Sequence, residues 1–567
     1  VLASPLNETF ADFKGRLKLD RGSFLKKFPP ASFLYRSVAL VLLLAIVVPA
    51  DSRAQSTETL ASRIQKVVSR PEFVHANFGI EFYSLDTSKI VYALNADKLF
   101  VPASTTKLLT EGTLLARLGP DYRFHTRIYA TGPVNSKGEL KGDLILVASG
   151  DPNLSNRIQS NGTLAFVDED HSYDGPALPG DPLAIVKKLA HDVAAKGIRK
   201  ISGRVLVDAS LFPDGPREGG TNIVMSSIMV NDNVIDVVAK PGDKIGDPVV
   251  FETSPQTAYA KFINHVTTSP AGNKPALDAP ETLTKPDGTI VATFTGTLPL
   301  GFQPQTVSFG VPSPTTFAET VLREALIAAG VEIKNPKSAT VPDFTALQRF
   351  YSSSNQVAEH VSLPLSEEIK VTLKVSQNLH AGTGPYLLGA LVGKDLRNPL
   401  DAGFKVEREF LQAANLDLSG TTQGDGAGGD WADLFTPDFM VHYLTYWTTR
   451  PDYHVLFASL PILGKDGTLA KIQTSSPGAG HVFAKTGTFG SEDRLNGKLM
   501  LNGKGLAGYV ITKDGRKLVF AAYVNHVSLP ADPDAAQQVA GQALGEIAAA
   551  AYDAQFDDVT PAANGKP

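Results

Sequence analysis

The sequence predicts a mixed α/β (α+β) fold in which both ends of the chain share one sheet and the middle is a long, mostly β insertion. Three observations carry this. At the front, a helical stretch over 57–69 precedes two alternating apolar runs between 78 and 94, joined at Asp86-Thr87-Ser88. At the back the order is mirrored. Apolar runs over 508–512 and 517–525, joined by Lys513-Asp514-Gly515-Arg516, precede an alanine-rich helix over 535–552. Between them, from 130 to 345, the chain is strand-like and rich in Gly and Pro.

Taken in order, the first feature is the apolar run SVALVLLLAIVV over 37–48, preceded by Lys26, Lys27 and Arg36 and followed by Ser52-Arg53-Ala54. About a dozen apolar residues are too few for a comfortable membrane span. The charged front, short core and small-residue exit instead match a cleaved export signal, with cleavage near Ala54. The competing reading is an uncleaved anchor or a buried helix. Export would leave the mature protein periplasmic or otherwise extracytoplasmic. The helix over 57–69 is stopped by Arg70-Pro71, and a second, over 107–118, by Gly119-Pro120. In the middle, 144–147, 205–207 and 249–251 read as strands and 182–196 as a helix. A further helix begins near Ser366, where Glu367 and Glu368 suit the positive end of its dipole. Residues 481–486 alternate like a strand, and the polar tail after Asp553 is expected to fray. The expected division is 1–54 for extension and signal peptide, 55–127 with 346–552 for the main domain, 128–345 for an insertion open to division into two subdomains, and 553–567 for a flexible tail.

Composition removes several function classes. The chain has 567 residues, 53 basic and 58 acidic, for a net charge of −5, so the basic excess of a nucleic-acid binder is missing. It has no cysteine, which excludes disulfides, thiolate metal sites and a cysteine nucleophile. GxSxG, HExxH and Walker A patterns are also missing.

Three short motifs remain. Ser104-Thr105-Thr106-Lys107 opens the 107–118 helix, which puts Ser104 and Lys107 on one face. Such a lysine takes a serine proton only if desolvation or a neighbouring cation lowers its pKa. The pattern alone is weak, as the decoy Ser23-Phe24-Leu25-Lys26 shows. Ser376-Gln377-Asn378 falls in the helix expected from Ser366, with Ser376 on the face of Ile369 and Leu373, and its bland reading is a pair satisfying the core. Lys485-Thr486-Gly487 ends an alternating stretch. There a lysine, a hydroxyl and the gap left by glycine can hold a carboxylate, or the lysine simply guards a sheet edge. The order SxxK, SxN, KTG is the set found in penicillin-binding proteins and class A β-lactamases.

Further stretches extend the match: 117–124 (RLGPDYRF), 141–144 with 150–152, 231–233 (NDN), 425–428 (DGAG), 460–462 and 466–469. With these and the long separation of Ser104 from Ser376, the chain resembles the class C low-molecular-mass penicillin-binding proteins, the D-alanyl-D-alanine carboxypeptidase/endopeptidases. The resemblance implies a core with a five-stranded, mainly antiparallel sheet flanked by helices, and a second helical portion carrying Ser104 and Ser376. It implies Ser104 as nucleophile, Lys107 as its base and Ser376 as proton relay to the leaving amine. Asn378 would hold the substrate peptide, Lys485 would keep the site positive and help Lys107 stay neutral, and Thr486 would bind the terminal carboxylate beside Gly487. Backbone N–H groups of Ser104 and Thr488 would form the oxyanion hole. No cofactor or metal is implied. The implied partners are peptidoglycan stem peptides ending in D-Ala-D-Ala, β-lactams as inhibitors, and a second copy in a homodimer.

The chain departs from the family pattern in places. Gln377 stands at the centre of the second motif, Gly382 where relatives often have Glu, and Ala427 with Gly429-Asp430 in a stretch that usually contains serine. The segment 489–504 is longer than expected. Two alternatives stay open at this point: a β-lactamase or small-ester hydrolase on the same scaffold, and a non-catalytic wall-binding homologue.

Overall fold

The strand Lys517–Asn525 is apolar on both sides. Leu518, Phe520, Ala522 and Val524 join one buried cluster, and Val519, Ala521 and Tyr523 join another. With side chains alternating across a pleat, such a strand belongs in the middle of a sheet covered on both faces. The computed structural model describes residues 58–556 apart from 168–169, 287, 335–341 and 533. The expected export segment, the Ser23–Lys26 decoy and nearly all of the tail lie outside the described residues.

We label the central strands β1 (Asn77–Ser84), β2 (Lys89–Leu94), β3 (Val482–Asp493), β4 (Lys498–Ile511), β5 (Lys517–Asn525) and β6 (Val527–Leu529). Their order is β2-β1-β5-β4-β3, with β6 paired to β4 and every pairing antiparallel. The sheet thus joins the two chain ends, as the mirrored hairpins predict, and gains a sixth strand in the short β6. Strand β3, which carries Lys485-Thr486-Gly487, is at the edge. The hairpin β3–β4 runs on to Asp493 and Lys498, which accounts for the extra length over 489–504.

The helices that position the site are α1 (Leu60–Val68), α2 (Lys107–Leu118), α3 (Leu365–Lys374), α4 (Asn378–Leu387), α5 (Pro437–Trp447) and α6 (Gln542–Ala550). Helix α1 starts where the Thr59 hydroxyl accepts the N–H of Ser62 at 3.2 Å. It buries Leu60, Ile64 and Val67 with Leu544 and Ile547 of α6 against Ile80, Phe82 and Phe520. On the opposite face, Leu108 and Leu115 of α2, Ile369 and Leu373 of α3, and Tyr443 and Trp447 of α5 pack on Val519, Ala521 and Tyr523. Thr436 caps α5 by accepting the Phe439 N–H at 3.0 Å, with Pro437 at the first helical position. The alanine-rich C-terminal run is helical from Ala536, its first part (Ala536–Gly541) wound as a π-helix before α6.

Between α2 and α3 lies a four-stranded sheet of Gln356–Val361, His125–Ala130, Leu144–Val147 and Val205–Asp208, in that spatial order. It shares a core with the helices Ala184–Ala195 and Pro314–Ala328. The second of these is absent from the sequence reading, although Ser313 caps it by accepting the Thr316 N–H at 3.3 Å and Pro314 opens it. One further expectation needs correcting. Helix α3 stops at Lys374, so Ser376 lies not within a helix but in the turn between α3 and α4, with φ of 61°. No helix among the described residues is long and apolar enough to cross a membrane.

Candidate active site

Ser104 lies in a 3-10 turn, Ala103–Thr106, that feeds into α2. The turn is braced by the Thr105 N–H and hydroxyl, both donating to the Pro102 carbonyl at 3.2 and 2.9 Å. Edge strand β3 passes so close to it that a β-carbon at Gly487 would run into the Pro102 carbonyl oxygen and approach Ser104 N to 3.0 Å. Glycine is therefore required in the third motif to let the strand reach the nucleophile's backbone. Gly428, at φ 88°, meets the other side of the same turn.

Lys107 is completely buried. Its Nζ donates to Ser104 Oγ at 2.8 Å, Asn378 Oδ1 at 2.6 Å and the Ala427 carbonyl at 2.8 Å. Two of these partners can only accept, whereas the serine hydroxyl can also donate. A neutral amine has two N–H groups and one lone pair, so the same three partners serve the unprotonated form once the Ser104 O–H turns to donate. Burial pushes the Lys107 pKa down to about 8 against the opposing pull of carboxylates, with Glu218 and then Asp425 strongest. Desolvation is thus the largest cause of the lowering. The strongest charged neighbours are anions that favour the ammonium, not the second cation expected from the sequence.

Asp425 shapes this pocket from behind. Its carboxylate accepts the N–H groups of Ala427, Gly428 and Gly429 at 2.8, 2.6 and 3.0 Å, which turns the Ala427 carbonyl onto Lys107. A β-carbon at Gly382 would come within 3.1 Å of Met225 Sδ and 3.3 Å of Glu218 Cγ, so this position packs against side chains supplied by the middle of the chain.

The other two motifs meet each other. Lys485, also fully buried, donates to Ser376 Oγ and to the Thr486 carbonyl, both at 2.8 Å. The Thr486 hydroxyl donates to Thr468 Oγ1 at 2.8 Å. Thr488 is exposed to the opening, and its hydroxyl accepts from Lys504 Nζ at 2.5 Å. Ser104, Ser376, Asn378, Thr486, Gly487 and Thr488 line one open cleft of about 490 Å³. Every sequence-predicted site residue is therefore in this cleft or hydrogen-bonded to a residue that lines it. Among the described residues no group of three or more His, Asp or Glu is placed to hold a metal ion.

Sequence reasoning missed three contributors. Lys504, 3% exposed, also donates to Gln537 Oε1 at 3.1 Å and so links the edge strand to the helical run before α6. Asp425 had a visible signal, the aspartate-glycine pattern of a tight turn, but not its three-amide grip. Tyr173 had none: it comes from the middle of the chain, lines the cleft, and hydrogen-bonds through its hydroxyl to the backbone on both sides of Gln377.

Comparison with known proteins bears on this arrangement. The sequence model of the D-Ala-D-Ala carboxypeptidase 3 (S13) family matches residues 60–544. A D-alanyl-D-alanine carboxypeptidase from an Actinomadura species is 27% identical over 531 residues, covering 90% of this chain and 88% of the relative. A penicillin-sensitive carboxypeptidase A from Dictyostelium discoideum is 24% identical over 432 residues, with 73% and 76% covered. Among solved structures, penicillin binding protein 4 (dacB) from Haemophilus influenzae shares the fold, with a TM-score of 0.64 at 20% identity over 86% of this chain and 97% of that one. The same protein has also been solved in complex with a β-lactam, with a TM-score of 0.63, 20% identity and coverage of 86% and 98%.

Proposed function

The chain belongs to the D-Ala-D-Ala carboxypeptidase 3 (S13) family, and from that premise we propose how it works as a serine DD-peptidase on peptidoglycan stem peptides. Ser104 Oγ attacks the carbonyl carbon of the penultimate D-Ala while its proton passes to the neutral amine of Lys107. The developing oxyanion is held by backbone N–H groups of Ser104 and Thr488, donors fixed before the reaction begins. Collapse breaks the C–N bond, and the departing amine takes its proton through Ser376 Oγ, which Lys485 holds at 2.8 Å. Water then hydrolyses the acyl-enzyme. Asn378 orients the acyl donor's peptide group, and Lys485 with Thr486 attracts the terminal carboxylate. A β-lactam acylates Ser104 by the same first step, its ring nitrogen remaining tethered to the acyl group.

The observation that carries the reading is the 2.8 Å contact of Ser104 Oγ with a fully buried Lys107 whose pKa lies near 8. The test is labelling with a fluorescent penicillin. Wild type should be acylated at Ser104, as read by peptide mapping, and Ser104→Ala should not label. Labelling that persists in the alanine variant removes Ser104 as nucleophile. Purified peptidoglycan fragments should then yield free D-Ala, with cleavage of cross-linked dimers scored separately.

The reading also places the protein outside the cytoplasm through export by residues 1–54, with 128–345 as an inserted region. N-terminal sequencing of the mature protein should begin near Gln55; a start upstream of Ser37 in the membrane fraction contradicts a cleaved signal. The homodimer is checked by light scattering of the purified protein.

A further inference from the structure

Behind the turn that carries Ser376 and Asn378 lies a closed set of charges. Arg157 Nη2 donates to Asp170 Oδ2 at 2.7 Å and Asp232 Oδ2 at 2.5 Å. His171 lies between Asp232, at 3.0 Å from Nε2, and Asp236, at 3.0 Å from Nδ1. His380 on α4 contacts Asp232 Oδ1 at 2.9 Å and Glu368 on α3 at 2.8 Å. All of these groups are buried. Arg157, Asp170, His171, Asp232 and Asp236 come from the middle of the chain, whereas Glu368 and His380 sit on the two helices that flank the turn. The cluster therefore fastens the middle of the chain to both helices at once.

Tyr173 follows His171 by two residues, in the same short 3-10 turn. Its position is further held by its N–H to the Asp170 carbonyl at 2.9 Å, and by Asp174 Oδ1 accepting the Ser308 N–H at 2.9 Å. From this anchored base the Tyr173 hydroxyl donates to the Ser376 carbonyl at 2.7 Å and accepts the Asn378 N–H at 3.1 Å. The Asn378 N–H opens α4 and has no acceptor within that helix. Ser376 is a non-glycine residue at φ 61°, a conformation that surrounding contacts must hold. One hydroxyl thus satisfies both sides of a turn that would otherwise relax. The same turn presents Ser376 Oγ to Lys485 and Asn378 Oδ1 to Lys107.

We propose that Tyr173 is a positioning residue of the acyl-transfer reaction, through which the middle of the chain holds Ser376 and Asn378 in register with Lys485 and Lys107. The proposal rests on the serine acyl-transfer reading given above. Tyr173→Phe keeps the ring and removes only the bridging hydroxyl. Acylation by a chromogenic penicillin separates initial binding, K, from the chemical step, k2. The variant should still fold cooperatively, with a slightly lowered urea midpoint, keep K within about twofold of wild type and lose about five- to tenfold in k2, the size of one net hydrogen bond. Because the hydroxyl acts partly through Ser376, the combined loss in Tyr173→Phe with Ser376→Ala should be smaller than the product of the single losses. An unchanged k2, a loss confined to K, or strictly multiplicative losses overturns the positioning role. If wild type itself is not acylated at Ser104, the acyl-transfer reading fails instead, so the two failures are distinct.

Discussion

At the reaction centre, the buried ammonium of Lys107 hydrogen-bonds to a hydroxyl, an amide oxygen and a backbone carbonyl, all neutral. In the cluster behind it, Arg157, His171 and His380 are just as buried, but each contacts carboxylates directly. Proton affinity follows the partners. Burial against neutral acceptors takes Lys107 down to about 8. Contact with Asp232, Asp236 and Glu368 overcomes the same desolvation and lifts both imidazoles to about 10. Equal burial therefore serves opposite ends: one lysine is prepared to give up a proton, while the cluster is prepared to keep its charges and act as structure.

The sharpest way to break this contrast is to neutralise one residue in each region. Asp232→Asn leaves Arg157, His171 and His380 facing an amide, and removing one member of a buried ionic set costs about 3–5 kcal/mol. Urea unfolding should show that loss at neutral pH. The sign with pH follows from the raised imidazole pKa values. Their contribution is fully present below the unfolded value near 6.5 and is lost as pH rises through about 10, so the gap between wild type and variant should narrow at high pH. Lys107→Met should instead abolish acylation while changing stability by only about 1 kcal/mol, because a lost hydrogen-bond set is offset by relief of a poorly solvated ammonium. Comparable destabilisation in both variants would erase the distinction between the regions.

How much of this was legible in the sequence depends on the reach of each interaction. Ser104 and Lys107 are one turn apart, so their meeting is local. Lys485-Thr486-Gly487 advertises an edge strand, and the hairpins at 78–94 and 508–525 announce a shared sheet through turn chemistry and alternation. Apolar spacing from Ile369 through Leu373 runs straight into Ser376 and so predicts a helix there. Its left-handed backbone leaves no mark on a serine and depends on a hydroxyl 203 residues away. Tyr173 is invisible as a site-supporting residue for the same reason, and Asp232, though it falls in the NDN stretch at 231–233, gives no sign in the sequence of its contacts with Arg157, His171 and His380. The Pro314–Ala328 helix lies in a region dominated by strand signals, which mask its Ser-Pro start. For Lys107, burial is the largest cause of the lowered pKa and its strongest charged neighbours are anions, so the part expected of Lys485 in keeping it neutral is decided by the pH profile of acylation.

That last point yields the smallest and most discriminating effect. If Lys107 must be neutral to act, k2/K for penicillin should rise about tenfold per pH unit below its pKa and level off above about 8. Glu218 exerts the strongest electrostatic pull on Lys107 and favours the ammonium. Glu218→Gln removes that charge, so the pKa should fall and the rising limb should move to lower pH by about half a unit, a threefold gain in rate at pH 6.5. The carboxylate also accepts the N–H groups of Gly220 and Thr221 at 2.9 and 2.7 Å. Glutamine has one acceptor oxygen for these two donors, so a stability loss of about 1–3 kcal/mol should accompany the shift without altering its direction. Lys485→Ala provides the opposing control. It should lower k2/K by about a hundredfold, through lost carboxylate binding and a freed Ser376, yet leave the limb near 8, because burial sets that position. A limb that moves upward in Lys485→Ala would restore the second cation as the agent that keeps Lys107 neutral. A limb that stays fixed in Glu218→Gln would mean that the carboxylates around this lysine do not reach its proton at all.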